Sequence, residues 1–293
     1  MKTNHFGNRL LMALTFLFLY APIFVLIFFS FNATKSRTVW GGFSLQWYVR
    51  LFQDDAILSA LRTTLLVSVL ASLIAMVAGT AAAMGFAAMK RRSRHTLMSI
   101  NNIPLTNADI VTGVSLSLLF MAGFAAWHMG AAWLNDTFPF LNLPETLKKG
   151  FGTMLIAHVT FDIPYVILSV MPRLRQLDPH IYEAAQDLGA RGFYAFRKVI
   201  LPDLMPGIVN GTIIAFTMSV DDFVISYFTA GNKVSTLAME VYSMARRKIS
   251  PEINAISTLL FISVLALLVI VNLRQSRQNS AVRRQRAALT PKT

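Results

Sequence analysis

The sequence contains no cysteine, which excludes disulfide bonds and metal sites built on thiolates. Charged residues are also scarce, at 14% of the chain, whereas soluble globular proteins carry about 25%. The five histidines are scattered, and no phosphate-binding Gly-x-x-x-x-Gly-Lys-Ser/Thr motif occurs, so the sequence offers neither a clustered catalytic site nor an ATP-binding loop. These absences favour a protein that faces lipid and argue against an enzyme.

Acidic residues are the rarest charges, because only 14 Asp and Glu accompany 27 Lys and Arg. The resulting net charge of +13 would be compatible with nucleic-acid binding in a soluble protein. Here, however, the basic residues flank long apolar runs instead of lining one polar surface. Basic cytoplasmic loops of a membrane protein explain the same charge. We therefore expect contact with membrane lipid and no nucleic-acid partner.

Hydrophobic residues are abundant, at 55% of the chain. A helix needs about 20 mostly apolar residues to cross a bilayer, and six stretches qualify: 10–31, 61–89, 99–124, 151–171, 208–228 and 253–273. The first has an apolar core longer than that of a signal peptide and no clean cleavage site after it, so we expect it to be retained. The sequence predicts an all-α membrane protein with six transmembrane helices.

The distribution of Lys and Arg predicts the orientation. With both termini in the cytoplasm, 17 of the 27 basic residues lie on the cytoplasmic side and 10 on the outside. The positive-inside rule favours this orientation. This predicts a cytoplasmic N-terminus at 1–9, a six-helix membrane domain at 10–273 and a basic cytoplasmic tail at 274–293. The polar stretch at about 173–205, between the fourth and fifth spans, is then a cytoplasmic loop.

That loop carries signals for two short helices. Asp178 followed by Pro179 predicts a helix start, and Gly189 predicts a helix end or a close approach by another chain. Between them the spacing predicts one apolar stripe, formed by Ile181, Ala184, Ala185 and Leu188. A second short helix is predicted at 193–201. From these residues alone, an ordinary loop and a rigid docking element are equally good interpretations.

The same loop resembles the docking loop of ABC-importer permeases. The residues that carry the resemblance are Glu183-Ala184-Ala185, Gly189 and the closing Leu201-Pro202; Val199 stands where the family often has Ile. The resemblance implies that a set of loop residues inserts into a cleft on an ATP-hydrolysing subunit: Glu183, Ala184, Ala185, Asp187 and Gly189. Closure of two such subunits would then move the spans and alternate access across the membrane.

Four of the few acidic residues fall in predicted spans: Asp109, Asp162, Asp221 and Asp222. An ionisable residue in a span costs about 2.5–3.5 kcal/mol on insertion scales and is a functional candidate by default. These side chains must therefore face a bundle interior, a wet cavity or a partner. Carboxylates along a path suit a cationic cargo, since charge-assisted hydrogen bonds replace its lost hydration.

Each of these acids has a structural alternative. All four could make polar contacts between helices, and His158, one turn before Asp162, could pair with it. Asp221 and Asp222 are separated by about 100° around a helix, so we expect one to face the path and the other a neighbouring helix. Asn102 and Asp109, seven residues apart, are expected on one face of the third span.

A closer resemblance, covering nearly the whole chain between the first and last spans, is to the spermidine/putrescine permeases. It is carried by 107–113, 158–161, 215–224 and 250–255, and by 40–44 with Trp47-Tyr48. Asp162 departs from the family, which generally has no acid there, so the cargo preference is open. The acids to carry over first are Asp109 and Asp222.

The resemblance implies the type I ABC-importer permease fold, with coupling helices between spans four and five, in the bacterial inner membrane. It implies a subunit that is not an enzyme and has no cofactor. The implied partners are two ABC ATPase subunits, a second homologous permease subunit and a periplasmic polyamine-binding protein.

Three rival functions fit parts of the sequence. The first is the same permease importing another small solute, such as an amino acid, an opine, thiamine or iron. The second is a membrane-embedded enzyme, which would need a clustered catalytic site. The third is an ion channel, which would not need the docking loop.

Overall fold

The structure, a computed structural model, describes residues 5–36, 39–138, 140, 142–178, 180–247, 252–266, 268–269 and 273. The chain divides into two compact units, one of Met1–Leu58 with Glu240–Thr293 and one of Ser59–Met239. Across the described residues the secondary structure is helical, apart from one isolated antiparallel bridge between Asn32 and Phe43. The predicted all-α class is therefore confirmed.

The helices follow one another along the chain, with longer connections after α1 and α5. In order they are α1 His5–Ser30, α2 Gln46–Leu51, α3 Asp55–Ala88, α4 Arg91–Thr106, α5 Asp109–Thr137, α6 Phe151–Gln176, α7 Ile181–Asp187, α8 Gly192–Ala195, a π-helix at Phe196–Ile200, α9 Leu201–Asp221, α10 Val224–Thr229 and α11 Leu237–Arg247. A last apolar helix, α12, covers Glu252–Ala266.

Five helical runs are long and apolar enough to cross a membrane: Gly7–Ser30, Asp55–Ala88, Asp109–Thr137, Phe151–Gln176 and Gly192–Asp221. Helix α12 lies in the sixth predicted span, whose end falls largely outside the described residues, as does the predicted tail at 274–293. The first, second and fourth predicted spans match helices of the structure. The predicted orientation of the termini stays a prediction.

The prediction of one continuous third span at 99–124 was wrong. The chain leaves the helical conformation at Asn107 and Ala108, whose ψ angles are 152° and 135°. Helix α4 ends before this break, and the span is α5, which starts at Asp109 and continues to Thr137. Asp109 favours the new helix start because a carboxylate stabilises the positive end of the helix dipole. Asn102 and Asp109 therefore lie on different helices and share no face.

The fifth span was also misplaced, at 208–228. The helical run begins at Gly192 and ends at Asp221, because Asp222 adopts an extended conformation with ψ 123°. Helix α10 then begins as a separate short helix. The apolar window used for prediction covered both helices and did not detect the break between them.

In the unit formed by the two ends of the chain, Asn32 organises the segment between α1 and α2. Its side chain amide donates to the carbonyls of Ser36 and Val39, each at 2.9 Å, and its carbonyl oxygen accepts from the backbone of Gly41 at 2.8 Å. The Asn32 backbone carbonyl accepts from the indole of Trp47 at 2.6 Å. These bonds fix a folded turn between the first two helices.

The core of the central unit is the packing of α9 against α6. Gly207 and Gly211 of α9 leave no room for a side chain: a Cβ atom at Gly211 would lie 2.9 Å from the Val166 Cα, and one at Gly207 would lie 2.9 Å from the Ser169 carbonyl. Glycines four residues apart let two membrane helices approach closely. Gly79 of α3 also approaches α6 closely, since a Cβ atom there would lie 2.8 Å from the Val166 Cβ.

This packing predicts that Gly211→Ala destabilises the permease core by about 1–3 kcal/mol, since an added methyl group overpacks a closed interface. The measurement is thermal unfolding of the purified protein in detergent. Gly123→Ala is the matched control, because a Cβ atom at Gly123 of α5 meets nothing within 4 Å. Equal stability of the two variants would contradict the close α6–α9 contact.

Candidate docking loop and substrate path

The docking loop, residues 173–205, holds α7 and the helical run that follows it. Helix α7 contains Glu183, Ala184, Ala185 and Asp187, and it ends in a glycine turn. Gly189 has a φ of +82°; its N–H donates to Gln186 at 2.8 Å and that of Ala190 donates to Ala185 at 3.0 Å. These are the two bonds of a Schellman motif, which needs a left-handed residue and therefore favours glycine.

Part of the predicted apolar stripe is exposed. Ala185 is buried and Ile181 is half-buried, but Ala184 is exposed and Leu188 is 90% exposed. Phe193 on the next helix is 76% exposed. Helix α7 spans only seven residues, so a single turn packs inward and the rest of the apolar surface stays uncovered. Large apolar side chains exposed beside acidic ones are typical of an interaction surface.

The start of α7 differs slightly from the prediction. The helix begins at Ile181, and the Asp178 carboxylate accepts a hydrogen bond from the N–H of His180 at 3.0 Å. His180 in turn contacts Glu183, with 3.2 Å between Nδ1 and Oε2. Pro179 lies outside the described residues. The N-cap of α7 is His180, and Asp178 accepts hydrogen bonds from the backbone N–H groups of His180 and Ile181 just before the helix.

The predicted second short helix is the first part of a transmembrane helix. Helix α8, the π-helix and α9 form one helical run from Gly192 to Asp221. The π turn lies directly before Pro202, which lacks an N–H and whose ring would clash with the Lys198 carbonyl in a regular α-helix. A wider turn removes that clash. The docking loop is thus continuous with the helix that ends at Asp221.

The structure brings the four predicted acids together in the central unit. Asp109, Asp162 and Asp221 all lie close enough to the Tyr165 hydroxyl to interact with it electrostatically. Asp222 lies within the same range of Asp162 and Asp221. Asp109 and Asp221 are exposed, whereas Asp162 is completely buried. We call these four carboxylates the acidic cluster; it sits where α5 begins, where α9 ends and at the middle of α6.

A buried polar latch holds the break between α9 and α10. The Asp222 carboxylate accepts hydrogen bonds from the N–H groups of Ile225 at 3.1 Å and Ser226 at 2.7 Å, so it caps α10. His158 of α6 contacts both sides of the break: its Nδ1 lies 2.6 Å from the Ser219 hydroxyl and its Nε2 lies 2.9 Å from the Ser226 hydroxyl. The Asp222 carboxylate lies 3.6 Å from the same Nε2.

Asp162 does not pair with His158, so that structural alternative was wrong. The imidazole nitrogens of His158 are engaged by the latch instead. Neither carboxylate oxygen of Asp162 has a hydrogen-bond partner among the described residues. No Lys or Arg in the described part of the chain forms a salt bridge with any of the four acids. Within the described residues, the acidic cluster therefore has no Lys or Arg as a counter-cation.

Metal binding is not supported by the described residues. Within them, no group of three His, Asp or Glu side chains is arranged to hold a metal ion.

Comparison with known proteins identifies the family. Residues 75–284 match the model of the binding-protein-dependent transport system inner membrane component. The chain belongs to this family. It is therefore a multi-pass inner-membrane subunit of an ABC importer, and the resemblance drawn from its docking loop is confirmed.

Two relatives are similar in sequence to this permease along most of its length. It is 40% identical over 251 residues to the putrescine transport system permease protein PotI of Escherichia coli K12, covering 85% of this chain and 84% of that protein. It is 32% identical over 277 residues to the spermidine/putrescine transport system permease protein PotC of Haemophilus influenzae, covering 94% and 99%.

Solved structures confirm the expected permease fold. One is a bacterial ABC transporter involved in the import of the acidic polysaccharide alginate, with a TM-score of 0.65, 17% identity and coverage of 93% of this chain and 94% of that chain. Another is the MetNI methionine ABC transporter in an inward-facing conformation, with a TM-score of 0.55, 17% identity and coverage of 76% and 98%. At this identity the likeness concerns the fold alone.

Sequence reasoning missed two features of the site. The latch was not foreseen, because Ser219, Asp222 and Ser226 were placed on one continuous helix. The closely packed glycine pair of α9 was also missed, although the Gly-x-x-x-Gly spacing at 207–211 was a usable signal.

The latch predicts that His158→Leu destabilises the permease by about 1–3 kcal/mol, because it leaves the buried hydroxyls of Ser219 and Ser226 without a partner. The measurement is again thermal unfolding in detergent. His128→Leu is the control, since His128 is exposed on α5. A His158 variant as stable as the His128 variant would contradict the latch.

Proposed function

We propose that this permease forms half of the translocation path for polyamines such as putrescine and spermidine, and that the acidic cluster binds their ammonium groups. The carrying observation is that three carboxylates, those of Asp109, Asp162 and Asp221, lie within electrostatic range of Tyr165. Asp222, at the break between α9 and α10, lies within the same range of Asp162 and Asp221. Carboxylates held close together without a counter-cation repel one another. A cargo with two or more ammonium groups offsets that repulsion and supplies charge-assisted hydrogen bonds.

The names of the relatives support this cargo. PotI is named for putrescine transport and PotC for spermidine and putrescine transport. The cluster also has aromatic neighbours suited to cations, because Phe223, directly after Asp222, packs against Tyr227 with the ring centroids 5.4 Å apart and the rings tilted by 38°. Aromatic faces attract ammonium groups.

Transport requires partners that this chain does not supply. ATP hydrolysis is assigned to two ABC ATPase subunits, and a periplasmic binding protein delivers the cargo. A second, homologous permease subunit completes the path, since one chain contributes one set of spans. The docking residues Glu183, Ala184, Ala185, Asp187 and Gly189 contact the ATPase, with Leu188 and Phe193 as apolar anchors.

The docking loop has a direct mechanical connection to the acidic cluster. The helical run that begins at Gly192 ends at Asp221. Because a helix is stiff along its axis, movement of the docking loop on ATP binding shifts the carboxylate of Asp221 relative to Asp109 at the start of α5. In this proposal the same movement opens the path and changes the spacing of the acids that hold the cargo.

Cargo binding is tested with Asp109→Asn and Asp221→Asn. Each change removes one charge-assisted hydrogen bond, worth about 1.5–3 kcal/mol, so uptake of labelled putrescine and spermidine at low concentration falls roughly tenfold or more. The assay uses cells with the complete importer at matched membrane abundance. Asp136→Asn is the control, because Asp136 is exposed at the far end of the same helix α5.

The outcomes separate the rival functions. Unchanged uptake in both variants would make the acids structural. Absence of polyamine uptake in the wild type, with uptake of an amino acid, an opine, thiamine or iron, would keep the permease and replace the cargo. Uptake that survives deletion of the ATPase genes would favour a channel.

Docking is tested with Gly189→Ala. An alanine in the left-handed region costs roughly 1–2 kcal/mol and distorts the end of α7, so the ATPase no longer copurifies and uptake is lost. Gly42→Ala is the matched control: Gly42 has a φ of +109° and, like Gly189, has open space around it. Both variants place an alanine at a positive φ, so equal loss of the ATPase would contradict the docking role.

A further inference from the structure

A basic cavity lies at the docking-loop end of α6, apart from the acidic cluster. It has a volume of about 660 Å³ and is lined by Arg91, Arg94 and His95 of α4 and by Arg175 in the last turn of α6. Ser99 and Asn102 add neutral hydrogen-bonding groups, and no carboxylate lines it. The transport mechanism proposed above makes no use of these side chains.

Among the described residues, no carboxylate forms a salt bridge with the three guanidinium groups. The salt bridges within the described residues join Arg50 to Glu252, His158 to Asp222 and His180 to Glu183. None of them involves an arginine of the cavity. Arginines that share one cavity without an anion repel each other, and a bound anion removes that repulsion.

The chemistry of the lining selects the class of anion. Guanidinium groups bind phosphate through paired N–H donors, more specifically than lysine does. The side-chain amide of Asn102 can donate a further hydrogen bond, whereas the Ser99 hydroxyl already donates to the His95 carbonyl at 3.0 Å. The volume also falls within the range of small-ligand sites, about 300–1,000 Å³. A polyamine would be repelled here, so the cavity does not extend the cargo path.

Helix α4 favours a lipid as the source of the phosphate. None of its residues is buried, and Ile100 and Ile103 are 55% and 56% exposed. They stand three residues apart, which places them on one side of the helix. A basic cavity beside an exposed apolar helix face matches a lipid headgroup with its acyl chains alongside.

We propose that this basic cavity binds a phosphate-class anion, supplied by an anionic lipid headgroup or by free phosphate. In the lipid case, the permease holds an anionic lipid next to the docking loop.

The test uses the complete importer in nanodiscs of phosphatidylcholine with or without phosphatidylglycerol. The variant Arg94→Gln/Arg175→Gln is compared with the wild type and with Arg92→Gln, since Arg92 is on the same helix but does not line the cavity. Retained phosphatidylglycerol is measured by native mass spectrometry, and binding of inorganic phosphate by calorimetry in phosphatidylcholine nanodiscs. Losing one charged hydrogen bond weakens binding roughly tenfold.

Selective loss of phosphatidylglycerol in the double variant, with Arg92→Gln unchanged, supports the lipid source. Selective loss of inorganic phosphate binding alone supports free phosphate. Equal binding of both probes in all three proteins overturns the proposal. The proposal is also overturned if the double variant no longer retains the ATPase but still binds both probes. In that case the arginines of the cavity bind an acidic protein surface.

A second variant, Arg94→Lys/Arg175→Lys, covers the case in which the glutamine variant does not assemble. Lysine keeps the charge but lacks the fork of N–H donors, so binding of the preferred probe falls between wild type and zero. Wild-type binding by an assembled lysine variant would contradict recognition by guanidinium groups.

Discussion

The functional region depends on the polar latch that stabilises a broken helix. A helix that ends inside a membrane domain leaves backbone groups that no water satisfies. Here the Asp222 carboxylate accepts the first free N–H groups of α10, and His158 joins the hydroxyls on the two sides of the break. With the break fixed in this way, the carboxylate of Asp221 is held at the end of α9, within electrostatic range of Asp109 at the start of α5.

The fold does not choose the cargo. The structural neighbour with the higher TM-score imports an acidic polysaccharide, whereas this permease gathers carboxylates at the same kind of helical scaffold. Transporters of oppositely charged cargoes can share this fold, so the side chains placed on it, and not the fold itself, determine selectivity. Of only 14 acidic residues in the chain, four lie at or near this break, and in the proposed function they bind a cationic cargo.

The acidic cluster, the basic cavity and the docking loop are all positioned along α6 and α9. The acidic cluster lies beside the middle of α6, and the arginines of the basic cavity lie at its docking-loop end. The helical run from Gly192 to Asp221 connects the docking loop to the cluster. Close contact at Gly207 and Gly211 keeps α9 against α6. We therefore expect the two helices to move together when the docking loop moves, and to carry that movement to the acidic cluster with little bending.

The sequence by itself determined the class, the number and approximate position of most spans, the docking loop and the identity of the four acids. These features can be predicted because their signals do not depend on contacts between distant parts of the chain. The signals are hydropathy, the spacing of Glu183, Ala184 and Gly189, and the rarity of acids. It did not determine where the third and fifth spans break, because an apolar window cannot register one residue leaving the helical conformation. Only the tertiary structure decided that His158 bonds serines of α9 and α10 and not Asp162, since that choice depends on how closely α6 and α9 pack.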